Sequence, residues 1–350
     1  MKTVIAVDDQ YLSLIKIEQA LEDYFNVLTA TSAERFFALL EKVKPDLILL
    51  DIQMAETNGF DICKQLKESD KEYSKIPVIF LTAKTDPEDE DFGFQLGAVD
   101  FITKPFSKQR LINHVKTHIN IDALIRKRTD TLKQREREIR NIRNEIVSVL
   151  SELIESRDEV TGGHVTRTAD YTRILIEGLI EKGYYSEEIQ DWIISTMCTS
   201  AALHDVGKIT VSDIILNKPG KLTDEEFREI KKHAMEGENI IEKIISRTGV
   251  GDAFLHNAKL FAGQHHEKWN GTGYPRGLRE EEISLQGRIM AIADVYDALV
   301  SDRPYKKAFT HQKAVEIIMS EAGKHFDPKL TQLFGEINYK FLEVRENHDD

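Results

Sequence analysis

Five short apolar runs, at Thr3–Val7, Val27–Thr29, Leu47–Leu50, Val78–Leu81 and Val99–Ile102, alternate with helical patterns over the first third of this chain. That alternation predicts an α/β domain, a doubly wound five-stranded parallel sheet with five helices. In such sheets the ligand site lies at the carboxyl ends of the strands. There the sequence sets Asp8 and Asp9 after the first run, Asp51 after the third, Thr82 after the fourth and Lys104 after the fifth. Three carboxylates gathered there repel one another and suit a hard, oxygen-loving cation such as Mg²⁺.

The chain has 350 residues and contains no run of eighteen apolar positions. It is long enough for two domains and a connector, with no segment expected to insert in a membrane. Met1 to Val7 runs straight into Asp8 and Asp9, which does not read as a signal peptide, so a cytoplasmic protein is expected. Cys63 and Cys198 are the only cysteines, and neither belongs to a CxxC, which argues against a disulfide framework or a thiolate metal site. A net charge of −13 argues against binding DNA, whose phosphates need a positive patch. It leaves room for one small anionic ligand.

From Ser107 a helical pattern runs without glycine or proline through TDTLKQREREIRNIRNEI to at least Leu153. Apolar residues recur every seventh position at Ile125, Leu132, Ile139, Ile146 and Leu153. The companion series is Ile121, Arg128, Arg135, Ile142 and Val149, so its seam is charged in two central heptads. The spacing predicts a parallel coiled coil with a weak middle, and hence a homodimer joined through this linker helix. A solvated helix lying along its own domain is the plainer alternative.

Beyond this helix the pattern is helical throughout, which predicts a bundle. An apolar run leads into His204 and Asp205, with Gly207 and Lys208 close behind. Burying such groups unpaired is costly, and a metal taking His204 and Asp205 as ligands removes that cost. His164, His233, His265, His266 and Asp294 are further candidates, the last among small and apolar residues in RIMAIADVYDAL. Imidazoles with carboxylates suit Fe, Mn, Zn or Ni. Their number exceeds what one tetrahedral catalytic ion needs, so two ions are expected. Two ions bridged by a carboxylate suit phosphodiester hydrolysis.

Two resemblances follow from these residues. Asp8-Asp9, Asp51 in LDIQM, Asn58-Gly59, Thr82, Phe101 and Lys104-Pro105 resemble a response-regulator receiver, a flavodoxin-like fold, over residues 1–120. The resemblance implies that Asp51 accepts a phosphoryl group from a sensor histidine kinase and that Asp8, Asp9 and Asp51 hold Mg²⁺. Thr82 and Lys104 would contact the phosphoryl oxygens, and Phe101 would report the state. Ala55 stands where many receivers have proline, a change expected to alter only the loop.

After a linker over residues 121–147, residues 148–350 resemble an HD-GYP domain, an all-α HD-type helical bundle. The matching motifs are HDVGK, HHEKWNGTGYP, ADVYDAL, RPYK and HFDP. This implies metal ligands at His164, His204, Asp205, His233, His265, His266 and Asp294, with Asp205 bridging and Asp205 and Lys208 catalytic. Lys208, Arg303 and Lys306 would hold substrate phosphates, and Tyr274 would lie beside the substrate. The family hydrolyses cyclic di-GMP to linear pGpG and in some members onward to GMP, with iron the first choice of metal and manganese the second. Members with a third metal have glutamate four residues before the first ligand histidine. Val160 stands there, so two ions are expected. Alternatives are action on another cyclic dinucleotide such as 3′3′-cGAMP, or a nucleotide-binding signalling module of little activity.

Overall fold

The computed structural model describes residues 1–83, 87–158, 163–302 and 307–348. The chain divides into two compact units, Met1–Arg137 and Glu138–Asp350.

In the first unit, strands β1 (Thr3–Val7), β2 (Asn26–Ala30), β3 (Leu47–Asp51), β4 (Val78–Thr82) and β5 (Asp100–Thr103) form one parallel sheet in the order β2-β1-β3-β4-β5. Helices α1 (Tyr11–Leu21), α2 (Ala33–Leu40), α3 (Gly59–Lys67) and α4 (Pro87–Gln95) connect them, and α5 follows from Lys108. All five expected strands are present. The fifth begins one residue later than its apolar run, leaving Val99 exposed.

Every residue of β3 and β4 is buried, as parallel strands between two helical layers require. Alternate side chains serve opposite layers. Ile5, Val7, Ile48, Leu50 and Phe80 pack with Phe36 of α2 and Ile62 and Leu66 of α3. Val4, Ala6, Leu49, Ile79 and Leu81 pack with Leu14 and Ile17 of α1 and Leu111 and Val115 of α5. Ser32 and Asn58 start α2 and α3 by accepting bonds from the Arg35 and Phe60 backbone N–H groups.

Helix α5 extends over Lys108–Glu155. Its seventh-position residues Ile125, Leu132, Ile139, Ile146 and Leu153 are each more than half exposed.

The second unit contains α6 (His164–Lys182), α7 (Ser186–Ile189), α8 (Ile194–Ala201), α9 (Asp213–Leu216), α10 (Asp224–Thr248), α11 (Ala253–Gln264), α12 (Leu285–Val300), α13 (His311–Ser320) and α14 (Pro328–His348). Among the described residues its only β pairings are isolated bridges. Helix α12 is buried over most of its length and, with α6 and α14, forms a core in which Tyr171 stacks on Phe341 at 4.6 Å. Helix α10 starts with a capping box: the Thr223 side chain accepts from Glu226 N–H while the Glu226 carboxylate accepts from Thr223 N–H. The HFDP motif is explained by packing, since Asp327 accepts bonds from Tyr185 Oη at 2.7 Å and Arg288 at 2.9 Å and caps α14 through the Lys329 and Leu330 N–H groups. Among the described residues, no helix is long and apolar enough to cross a membrane.

Candidate metal centre and receiver site

The strand ends of the first unit bring Asp8, Asp9 and Asp51 together, with one oxygen of each within 4.8 Å of the others. Asp51 is the last residue of β3 and Thr82 the last of β4, so both side chains emerge where the sheet ends. Lys104 Nζ lies 2.7 Å from both Asp8 Oδ2 and Asp51 Oδ1. Burial raises the Asp51 carboxyl above its ordinary value, against the opposing pull of Lys104. Buried Asp9 Oδ1 lacks a hydrogen-bond partner, an orphaned lone pair that fits a cation held by three carboxylates.

Gly59 is required by close approach, because a Cβ there would lie 2.1 Å from the Asp51 carbonyl oxygen. Phe101 is buried between Phe80 and Phe94. Ala55 does more than shape its loop: its N–H donates to Asp9 Oδ2 at 2.6 Å, a bond proline lacks the hydrogen to make.

In the second unit the seven expected ligands form two groups. Asp205, His233, His265 and His266 gather in one, and His164, His204 and Asp294 in the other, with ligand atoms within 4.8 Å inside each. Helix α8 ends at Ala201, three residues before His204, so the His-Asp pair sits in the turn leading to a 3-10 segment at Val206–Thr210 rather than on the helix itself. Helix α6 presents His164 at its first position, α10 carries His233, α11 ends just before His265, and α12 carries Asp294. Asp205 faces both groups. Its Oδ1 lies 3.3 Å from His233 Nε2 and 3.7 Å from His265 Nε2, and its Oδ2 lies 3.5 Å from His204 Nε2.

The imidazoles are fixed from behind. His204 Nδ1 meets the Ala201 carbonyl at 3.0 Å, His233 Nδ1 that of Ile230 at 2.6 Å, and His265 Nδ1 that of Phe261 at 2.9 Å. A carbonyl only accepts, so each Nδ1 carries the proton and each Nε2 presents a lone pair inward. His233 Nε2 and His265 Nε2 then face each other at 3.3 Å as two acceptors, and His204 Nε2 and Asp205 Oδ1 are buried without partners. Divalent cations are what such a donor set fits.

Burial pushes His204 down to about 4 and, with His265 and His233 nearby, holds His266 well below the ordinary range. Burial would raise the Asp205 carboxyl, but the Lys208 ammonium 2.8 Å from its Oδ2 outweighs it and holds Asp205 well below the carboxylate range. His204, His266 and Asp205 are thus poised in their ligating protonation states, whereas at His164 burial is outweighed by Asp297, which raises that imidazole above its ordinary value. Lys208 lines the adjoining cavity and also lies 2.8 Å from Asp205 Oδ2.

Three supporting carboxylates escaped the sequence reading. Asp297, one turn beyond Asp294 on α12, accepts from His164 Nδ1 at 2.7 Å and from Arg167 Nε at 2.7 Å. Burial opposes its ionisation, yet those two partners pull Asp297 down to about 2. The three-residue spacing from Asp294 was the available signal. Glu267, next to His266, is buried and takes the Arg276 and Leu278 N–H groups at 2.7 and 3.1 Å, shaping the loop that brings Tyr274 over His266 with ring centres 4.6 Å apart. Gly273 permits that fold, since a Cβ there would lie 2.5 Å from Glu267 Cα. Glu155, the last residue of α5, lines the cavity and accepts from Val165 N–H at 3.4 Å. Arg303, Lys306 and Val160 lie outside the described residues.

Residues 4–116 match the response regulator receiver domain family and residues 148–330 match the HD domain family. A Vibrio cholerae serotype O1 protein named "Probable cyclic di-GMP phosphodiesterase" is 38% identical over 356 residues, spanning 99% of this chain and 80% of that one. The cyclic di-GMP phosphodiesterase response regulator RpfG of Xanthomonas campestris pv. campestris is 32% identical over 93% of this chain and 85% of its own. A 3′3′-cGAMP-specific phosphodiesterase 2 of Vibrio cholerae is 38% identical, over 61% of this chain and 38% of its own length.

Proposed function

Because the chain belongs to the HD-domain family and carries a response-regulator receiver, we propose that it hydrolyses cyclic di-GMP to linear pGpG, with GMP as a further product, under control of phosphorylation at Asp51. The observation that carries the reading is the pair of inward-facing Nε2 lone pairs of His233 and His265, 3.3 Å apart beside Asp205. The full-length relatives named for this activity support the same substrate.

The HD domain implies bound divalent metal, and the described clusters suit it. We take the complement to be two transition-metal ions, iron first and manganese second. His233, His265 and His266 would hold one, His164, His204 and Asp294 the other, and Asp205 would bridge them. Bound there, such ions lower the pKa of water and stabilise negative charge on a phosphodiester. The chain's own residues do the rest. Backbone carbonyls aim the imidazoles, Asp297 orients His164, and Lys208 holds Asp205 and extends positive charge toward substrate phosphate. Tyr274 closes over His266, and Arg303 and Lys306 would add cations for the second phosphate. No side chain needs to act as a covalent nucleophile.

In the receiver, Asp8, Asp9 and Asp51 would hold Mg²⁺ while Asp51 takes the phosphoryl group from a sensor histidine kinase. Thr82 and Lys104 would contact that group and Phe101 would respond to it. A receiver over 1–120, a linker over 121–147 and an output domain over 148–350 complete the proposed organisation. The exposed heptad face of α5 supports a parallel homodimer. A cytoplasmic protein that does not bind DNA fits this reading.

Turnover is tested by incubating anaerobic, metal-replete protein and an Asp205→Asn variant with cyclic di-GMP and with 3′3′-cGAMP. Linear pGpG from the unsubstituted protein alone is the expected result. No product from either nucleotide would overturn the reading. The similarity to a cGAMP-specific enzyme favours that substrate as the second reading, and preferential cleavage of cGAMP would select it.

A further inference from the structure

The cavity beside the metal-ligand clusters has a volume of about 390 Å³, within the range of small-molecule sites. Part of its lining needs explanation. Hydrolysis at the ions uses imidazoles, carboxylates and cations, yet Leu216, Leu222, Phe227 and Ile230 also line the cavity. Phe227 is 46% exposed although it stands on α10, the helix that carries His233. Singly exposed aromatic residues are ordinary on a protein surface, but this one borders the space where substrate must lie.

Lys231, one turn further along α10, places its ammonium 4.6 Å from the Phe227 ring centre and 5.1 Å from that of Tyr274. Among the described residues it meets these two aromatic faces and no carboxylate. A purine stacking on Phe227 takes the place of the ammonium over that ring face, and the flexible lysine side chain then meets the edge of the base. The cation selects between purines. Guanine offers two adjacent acceptors, O6 and N7, whereas adenine replaces O6 by an amino donor that an ammonium repels.

We propose that Phe227 and Lys231 form a guanine subsite, with one base of the dinucleotide stacked on Phe227 and its O6/N7 edge toward Lys231. This rests on the cyclic di-GMP reading above and adds the residues that recognise the base.

The test uses full-length, metal-replete protein and its Phe227→Ala, Phe227→Trp and Lys231→Met variants, with metal content measured for each. Stacking is worth about tenfold or more per base, so Phe227→Ala should raise the KM for cyclic di-GMP by about that factor while kcat moves little, and Phe227→Trp should restore it. Lys231→Met should cut the kcat/KM preference for cyclic di-GMP over cyclic di-AMP about tenfold. A fall in kcat at unchanged KM, failure of tryptophan to rescue, or an unchanged purine preference would each overturn the proposal.

If the unsubstituted protein cleaves neither nucleotide, the catalytic reading fails separately. Equilibrium binding of cyclic di-GMP then decides the subsite. About tenfold weaker binding by Phe227→Ala sustains it, and unchanged affinity or no binding at all overturns it.

Discussion

Gly207 in HDVGK offers the sharpest test of how the metal centre is assembled. A Cβ at this position would lie 1.9 Å from the His233 carbonyl oxygen and 2.5 Å from Gly237 N. Ordinary contact begins at 3.4 Å, so relief demands a movement of about 1.5 Å. Both obstructing atoms are backbone of α10, which cannot swing aside as a side chain would. In the Gly207→Ala protein, the 3-10 segment that follows Asp205 must therefore part from the helix that carries His233. Overpacking of this kind costs roughly 1–3 kcal/mol, leaving a folded protein with a lower melting temperature. The site suffers more than the fold. A metal constellation tolerates about 0.5 Å of displacement, and a misplacement of about 1 Å costs on the order of 100-fold in rate. The assays are metal content by mass spectrometry, thermal unfolding, and turnover of cyclic di-GMP on the same preparation. We expect loss of at least one ion and about 100-fold or more in kcat with helical content retained. A full metal complement and turnover within about threefold of the parent would refute the argument.

Asp297→Ala removes the acceptor that holds both His164 and Arg167 in the interior. Breaking a buried charged network costs about 3–5 kcal/mol, and loss of a carboxylate behind a ligand histidine costs about 10–100-fold in metal affinity. Calorimetry and metal titration read the two effects, and parental values in both would contradict the role assigned to Asp297. Stripping transition metal with a chelator in the presence of excess Mg²⁺ should lower the melting temperature of the output domain while leaving the receiver transition in place, because an ion that binds only the folded state stabilises it by mass action. A scan unchanged by chelation and by metal return would count against bound metal. Asp100 supplies a pH test away from either site: burial raises its carboxyl, but bonds from His114, the Phe101 N–H and His118 outweigh that and hold it below the ordinary value. Its stabilisation is therefore present above the unfolded carboxyl value of about 3.9 and is lost as pH falls through the lower folded value. The Asp100→Asn protein should show a shallower loss of melting temperature on acidification, and coincident acid limbs would show that the interaction contributes nothing.

Much of the molecule was legible in its sequence because the relevant signals are local. Apolar runs separated by helical patterns specify a parallel α/β sheet, since each strand's burial is written in its own residues, and the heptads of α5 state its exposed face in the same way. Thr223 and Glu226 announce the start of α10 from three residues apart. The histidines and aspartates could be picked out as candidates because their residue types sit where solvent should not reach. Their convergence could not be read there. His164 meets Asp297 across 133 positions of sequence, and only the packing of α6 on α12 closes that gap. The same holds for the direction of the His204, His233 and His265 imidazoles, each of which depends on a backbone carbonyl about one turn away. Glu267, Phe227 and Lys231 carry no local signal of a role; the loop folded over His266 and the cavity beside α10 supply it. By itself the sequence determined the two architectures and the chemistry of the donor atoms, because both follow from residue identity and short-range periodicity. Tertiary structure alone decided which lone pairs face one another, because distance between remote residues is set by helix packing.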